Sequence, residues 1–330
     1  MIGTANGNVS IAGLGVHVPE RVVTNDDLAR IVDTTDEWIT ERTGIKERRF
    51  ASQEEAMSDL ALPAARAALA EAAVDPADVD LVIVATVTPD MMFPTTSAIV
   101  ADALGARDAA AYDLLAGCTG FMYSIAQAHG MIASGIVRTA LVVGGDVLSK
   151  ILDFEDRSTL VLFGDGAGAV VLRRVEEGGF IGFELGADGG GGKHLWLPGS
   201  GSRHFDDATS FVKMNGPEVF RFATRVMVTS AEKVLAECGL SVADVDVYVP
   251  HQANVRIIDH ATRKLGIPQE RVVVNVDRYG NTSSGSIPLA LADARADGRL
   301  REGALVLMTG MGAGLTWGSA LMRWTEEVAA

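Results

Sequence analysis

Two spacings of apolar residues alternate along this chain: short continuous runs of strand length, and longer stretches where apolar positions recur every three or four residues. Val9 to Leu14 reads as a strand, and Thr24 to Asp27 carries a cap signal ahead of a helix from Leu28 to Val32. In the charged stretch Asp36 to Arg49, Trp38 and Arg42 stand four apart and share a helical face. Ala56 to Ala73 is Ala-rich and helical, with Pro63 acceptable only near the helix start. Val79 to Thr86 is an unbroken apolar run, the pattern of a strand covered on both faces. The loop from Pro89 to Pro94 exposes Met91, Met92 and Phe93. From Asp113 to Phe121 an apolar run breaks at Gly117 and leads into a long apolar segment ending at Ala133. That predicts a strand, a tight turn and a buried helix with Cys118 in its first turn. Ala140 to Val143 is another buried strand, and Leu160 to Leu172 carries Gly164-Asp165-Gly166-Ala167-Gly168-Ala169 into a strand.

The second half repeats the first. Ala70 to Asp80 precedes the strand Leu81 to Val84, and Ala236 to Asp246 precedes the strand Val247 to Val249 at an offset of 166 residues. Asn275 to Asn281 is followed by a helical run to Ala294, so Asn281, 163 residues after Cys118, also stands at a helix start after a glycine. Ala304 to Met308 echoes Ala140 to Val143. The spacing predicts a duplicated α/β unit, residues 1–175 and 176–330, with sheets covered by helices and a working site where the halves meet.

Composition narrows the class. With 48% hydrophobic and 22% charged residues the chain has an ordinary globular balance and enough apolar mass for a large core. A formal net charge of −15 argues against nucleic-acid binding, which needs clustered Lys and Arg. Two cysteines, Cys118 and Cys238, offer no disulfide framework, which suits a reducing compartment. Met1 to Ser10 has no signal-peptide pattern, and every apolar run is too short for a membrane span, so a soluble, cytoplasmic protein is expected. The Gly-rich stretch Gly186 to Ser202 fails the P-loop pattern because His194 follows Gly192-Lys193, and it reads as a mobile or packed surface loop. Gly164 to Ala169 leads into a strand, not a helix, so it fails the dinucleotide fingerprint as well.

Cys118 is either a small buried hydrophobe or a nucleophile whose thiol ionises readily beside a helix N-terminus. His251, in Pro250-His251-Gln252-Ala253-Asn254, follows a buried strand, where open α/β sheets hold their ligands. A satisfied core histidine is the plain alternative. The other histidines (His17, His129, His194, His204 and His260) lack such a context, and no spacing suggests a metal site. Asn281 suits a simple N-cap, but the duplication places it opposite Cys118 with His251 between. A cysteine, a neutral imidazole and an amide donor could then run acyl transfer through a thioester and stabilise an enolate.

Six segments together make the chain resemble the 3-oxoacyl-acyl-carrier-protein synthase III family of the thiolase superfamily, from about Ile11 to Trp324. They are Asp36-Glu37-Trp38-Ile39 with Arg42-Thr43-Gly44-Ile45, Gly117-Cys118-Thr119-Gly120-Phe121, Asp156-Arg157, Phe163 to Ala169, Pro250 to Asn254, and Gly280-Asn281-Thr282-Ser283-Ser284. The resemblance implies a thiolase-like five-layered αβαβα fold of two duplicated halves, and a homodimer. It implies the initiating condensing enzyme of type II fatty acid synthesis, with acyl-CoA and malonyl-acyl carrier protein as substrates and no cofactor or metal. Cys118 would carry the acyl group, with its own N–H and that of Ala313 as oxyanion hole, while His251 and Asn281 hold the malonyl thioester. Trp38 and Arg157 match the adenine-stacking pair, Arg42 lies near the CoA phosphates and Asn254 at the pantetheine channel. Phe93 matches a residue that closes the partner's acyl pocket. Gln252, Ala253, Asn254, Val255 and Arg256 match the carrier-protein contact segment, and Arg256 with Arg221 would form a local positive landing site.

Two departures stand in Gly310-Met311-Gly312-Ala313-Gly314: Ala313 replaces a common Gly and Met311 a frequent Phe. Met311, with Met91 and Met92 expected near the pocket mouth, suggests room for starters larger than acetyl. Cys238 lacks the context of a thiolase's second catalytic cysteine, and Asn281 stands where elongating synthases carry a second histidine. A specialised relative that primes polyketide synthesis, or passes the acyl group to another acceptor, is the alternative.

Overall fold

The computed structural model describes residues 8–199, 201–203 and 210–326. Its plan is one sheet built twice. In the first sheet the strands run in the order Asn8–His17, Gly166–Val175, Ala140–Asp146, Leu81–Ala85, Ala110–Leu114. The first two pairings are antiparallel and the last two parallel. In the second the order is Gly179–Ala187, Thr316–Arg323, Leu305–Gly312, Val247–Pro250, again antiparallel twice and then parallel. Where a fifth strand would complete the copy, Val272 pairs with Tyr248 in parallel. The predicted offset recurs in the backbone: 3₁₀ turns at Pro76–Asp78 and Val242–Asp244, and strands starting at Leu81 and Val247, are each 166 apart.

The helices Gly120–Ala133 and Ser286–Ala296 lie between the sheets. Phe121, Met122, Ile125, Ile287 and Leu291 share one buried cluster with Ile83 and Val142 of the first sheet and Val249 and Met308 of the second. The helix Met57–Glu71 covers the outer face of the first sheet, and Gly216–Glu237 with Val255–Leu265 covers that of the second. The layering is therefore αβαβα. It explains why the strands read as unbroken apolar runs: Leu81 to Ala85 are all fully buried.

Pro63 is not near the start of its helix but well inside Met57–Glu71. Its missing N–H would have bonded the carbonyl of Asp59. Burial of Ala61, Ala64, Ala65 and Ala68 against the sheet outweighs that loss. The first helix is Asn25–Ala29, held by a reciprocal Thr24–Asp27 capping box, and stops short of Val32. The Gly-rich stretch is a packed loop: a 3₁₀ turn at Gly189–His194 follows Asp188, which exchanges both backbone hydrogen bonds with Leu315 (2.7 and 2.9 Å). Ser200 and His204 lie outside the described residues. Among the described residues no helix is long and apolar enough to cross a membrane.

Candidate active site

Cys118 lies on the turn between the strand Ala110–Leu114 and the helix Gly120–Ala133. Thr119 occupies the N-cap position, so Cys118 stands just outside the helix and not in its first turn. Gly117 has φ +57°, and a side chain there would meet the Ala313 nitrogen and oxygen at 2.8 Å. A methyl on Gly312 would sit 2.5 Å from the Cys118 nitrogen. Two turns, one from each half, are thus in backbone contact beneath the sulfur. The thiol is buried, and burial pushes its pKa up to about 11. The Asp146 carboxylate adds to that rise, while the Ser283 hydroxyl and the N–H groups of Cys118 and Ala313 pull the other way. The expected easy ionisation is corrected: desolvation outweighs the helix terminus.

His251 follows the strand Val247–Pro250 and is 1% exposed. Its N–H donates to the Thr309 carbonyl (2.8 Å). Nδ1 lies 2.6 Å from the Ser286 hydroxyl oxygen, and Nε2 is buried with no hydrogen-bond partner. Burial pushes the imidazole down to about 4, so the ring is neutral near pH 7. Ser286 Oγ makes no other hydrogen bond among the described residues and occupies Nδ1, which leaves Nε2 as the ring nitrogen free for a substrate.

Asn281 is held through its backbone, which donates to Leu162 O (2.9 Å) and accepts from Gly164 N (3.0 Å). Its Oδ1 accepts from the Ser283 N–H (2.9 Å), which leaves the NH₂ end of the amide for the cavity. Asn281 does not open a helix directly, since a 3₁₀ turn at Ser283–Gly285 precedes Ser286–Ala296. Ser283 itself has φ +52°, a left-handed conformation rare for serine.

Cys118, His251 and Asn281 line one cavity of about 210 Å³, together with Met311, Phe163, Ala253, Trp38, Arg42 and Asn254. The guanidinium carbons of Arg42 and Arg157 each lie 4.8 Å from the Trp38 ring centre. Asn254 caps the helix Val255–Leu265, accepting from Arg256 N (2.8 Å), and its amide donates to Arg42 O (3.1 Å). Arg256 is exposed above the Phe220 ring, and Arg221 is exposed and paired with Glu218 (2.9 Å). Val255 is half-buried against Gly44.

Four predicted positions fall elsewhere. Met91 and Met92 are exposed and do not line the cavity, so they do not shape its mouth within this chain. Phe93 is 83% exposed and also lies off the lining. Gln252 is corrected outright as a carrier-protein contact. It is 1% exposed, donates to Pro250 O (2.8 Å) and Val273 O (3.0 Å), and accepts from Asn275 N (2.9 Å) and Val276 N (3.2 Å). It fastens the His251 strand end to the Asn281 loop. Sequence reasoning missed Ser283, Ser286 and Asp146; a run of hydroxyls opening an otherwise apolar helix was the available signal.

The chain's residues 112–189 match the model for 3-oxoacyl-[acyl-carrier-protein] synthase III, and residues 235–324 match the model for its C-terminal part. It is 53% identical over 327 residues to the β-ketoacyl-[acyl-carrier-protein] synthase III of Desulfitobacterium hafniense (strain Y51), covering 97% of this chain and 99% of that protein. With the enzyme of that name from Symbiobacterium thermophilum the identity is 54%, over 96% and 98% of the two chains. The crystal structure of the Thermus thermophilus synthase III superposes with a TM-score of 0.92 at 51% identity, covering 96% of this chain and all of that one. The priming β-ketosynthase of the R1128 polyketide pathway gives 0.91 at 37% identity over 99% of each chain. The duplicated αβαβα fold, the cavity with its cysteine, histidine and asparagine, and these similarities agree: the chain belongs to the 3-oxoacyl-acyl-carrier-protein synthase III family.

Proposed function

We propose that this chain is an initiating condensing enzyme that takes an acyl group from acyl-CoA onto Cys118 and joins it to a malonyl unit on acyl carrier protein. The observation that carries this reading is the convergence, in one cavity, of a buried thiol, a neutral imidazole whose Nε2 has no protein partner, and an amide NH₂. In the first step Cys118 Sγ bonds to the thioester carbon, the C–S bond to CoA breaks, and the thiol proton passes to the departing CoA sulfur. Because the thiol is neutral at rest, proton loss accompanies attack. The N–H groups of Cys118 and Ala313 receive the charge that develops on the carbonyl oxygen. In the second step His251 Nε2 and Asn281 Nδ2 donate to the malonyl thioester oxygen. The bond to the carboxylate breaks, CO₂ leaves, and the resulting enolate attacks the acyl-cysteine. Cys118 departs as thiolate and takes up one proton from solvent.

Trp38 would stack the adenine, taking the place of one guanidinium beside the ring, with Arg157 on it, Arg42 at the phosphates and Asn254 along the pantetheine. Arg256 and Arg221 form a positive landing site for an acidic carrier protein despite the acidic total. Phe93 closes the acyl pocket of a partner subunit in a cytoplasmic homodimer. Met311, unbranched and adaptable in the cavity wall, favours starters larger than acetyl. Likeness to a polyketide-priming synthase supports a second reading, in which the product enters a polyketide pathway.

Intact-protein mass after incubation with a panel of acyl-CoAs, on the native chain and on Cys118→Ala, tests the proposal. An increase equal to one acyl group is expected, absent in the variant and discharged by malonyl-carrier protein as a 3-oxoacyl product. An adduct that malonyl-carrier protein cannot discharge would make the chain an acyltransferase. A strong preference for acetyl-CoA would remove the Met311 inference.

A further inference from the structure

The threonine before the buried helix does not do what its position invites. Thr119 occupies the N-cap of Gly120–Ala133, where a threonine oxygen ordinarily accepts from the N–H of the second or third helical residue, yet its side chain makes no capping bond. It is fully buried, and its hydroxyl lies 2.6 Å from Ala116 O and 2.8 Å from the Thr316 hydroxyl, 197 residues along the chain. Thr316 in turn lies 3.0 Å from Ala116 O and 3.0 Å from Ala313 O. The two hydroxyls have two hydrogens for these four contacts. Thr119 donates to Ala116 O or on to Thr316, and Thr316 to Ala116 O or Ala313 O. The bond that Thr119 donates to Thr316 and the one that Thr316 donates to Ala116 O each tie the turn before Cys118 to the turn after Gly312. Those turns carry the N–H groups of Cys118 and Ala313, which converge on the sulfur, and nothing larger than hydrogen fits between them at Gly117 and Gly312.

We propose that Thr119 and Thr316 are positioning residues for acyl transfer, a hydroxyl clamp between the two halves that sets the spacing of the Cys118 and Ala313 N–H donors. The proposal rests on the acyl-transfer reading above. Neither threonine touches substrate. Each acts through a backbone donor whose misplacement weakens stabilisation of the developing oxyanion, while attack on a reagent that forms no oxyanion is spared.

The test is single-turnover acylation of Cys118 by acyl-CoA, followed by intact mass, in Thr119→Val, Thr316→Val and Thr316→Ser, beside alkylation of Cys118 by iodoacetamide in the same samples. Valine keeps the shape and removes the hydroxyl. Both valine variants are expected to acylate about ten- to a hundredfold more slowly, with alkylation within about threefold of the native rate and Thr316→Ser restoring acylation. Acylation at the native rate in both valine variants overturns the clamp. So does an equal fall in acylation and alkylation, which would mean that the threonines hold the thiol and not the donors. If the native chain forms no adduct with any acyl-CoA, the acyl-transfer reading fails first and the clamp falls with it.

Discussion

Cys118 shows how little a residue's identity says about its state. Its place after Gly117 and before an apolar helix was legible, and a helix terminus ordinarily favours the thiolate. Burial reverses that balance and raises the thiol to about 11. On the order of one sulfur in a thousand is then ionised at pH 8, and iodoacetamide alkylation should climb about tenfold per pH unit without levelling before pH 10. Peptide-resolved mass spectrometry separates Cys118 from Cys238, and a plateau below pH 9 would show a readily ionised thiol. His251 makes the same point. The strand end made it a candidate, but which ring nitrogen is left for substrate depends on Ser286, 35 residues away in sequence. Gln252 sits inside the matched motif, yet its burial makes it a fastening residue.

Helices and strands were mostly legible because their signals are local. Apolar periodicity, the Thr24 cap and the glycine at the nucleophile turn each lie within a few residues of what they determine. Close approach between elements was not. Gly13 and Gly15 let the helix Met57–Glu71 lie directly on the strand Asn8–His17; a methyl on Gly15 would meet Ala64 O at 2.2 Å. Gly130 is exposed in a helix interior with open space around it. Gly15→Ala should therefore destabilise the chain by about 1–3 kcal/mol, because backbone cannot give way as a side chain can. Gly130→Ala should stabilise it by about 0.5–1 kcal/mol through the smaller entropy loss on folding. Urea unfolding of the three proteins checks both signs, and a destabilising Gly130→Ala would contradict this account. Pro63 shows the limit of local rules, since sheet packing keeps a helix going through it.

For the whole molecule, the proposed dimer has a direct test. Met92, Phe93 and Leu115 are 62, 83 and 75% exposed, a poor arrangement for an isolated chain in water. Sedimentation should give about twice the 34.7 kDa chain mass. Phe93→Asp should weaken association by about 2–4 kcal/mol, the range for a central aromatic anchor. A native monomer, or a Phe93→Asp dimer of native affinity, would reject that surface. The sequence by itself determined the duplication, the strand-and-helix alternation and the identities of Cys118, His251 and Asn281, because repetition and periodicity are properties of order along the chain. The tertiary structure alone decided that the thiol is neutral, which imidazole nitrogen is left without a partner, that Gln252 is buried and that Thr119 reaches Thr316. Those outcomes turn on desolvation and on hydrogen-bond partners as much as 200 residues apart, which no local pattern encodes.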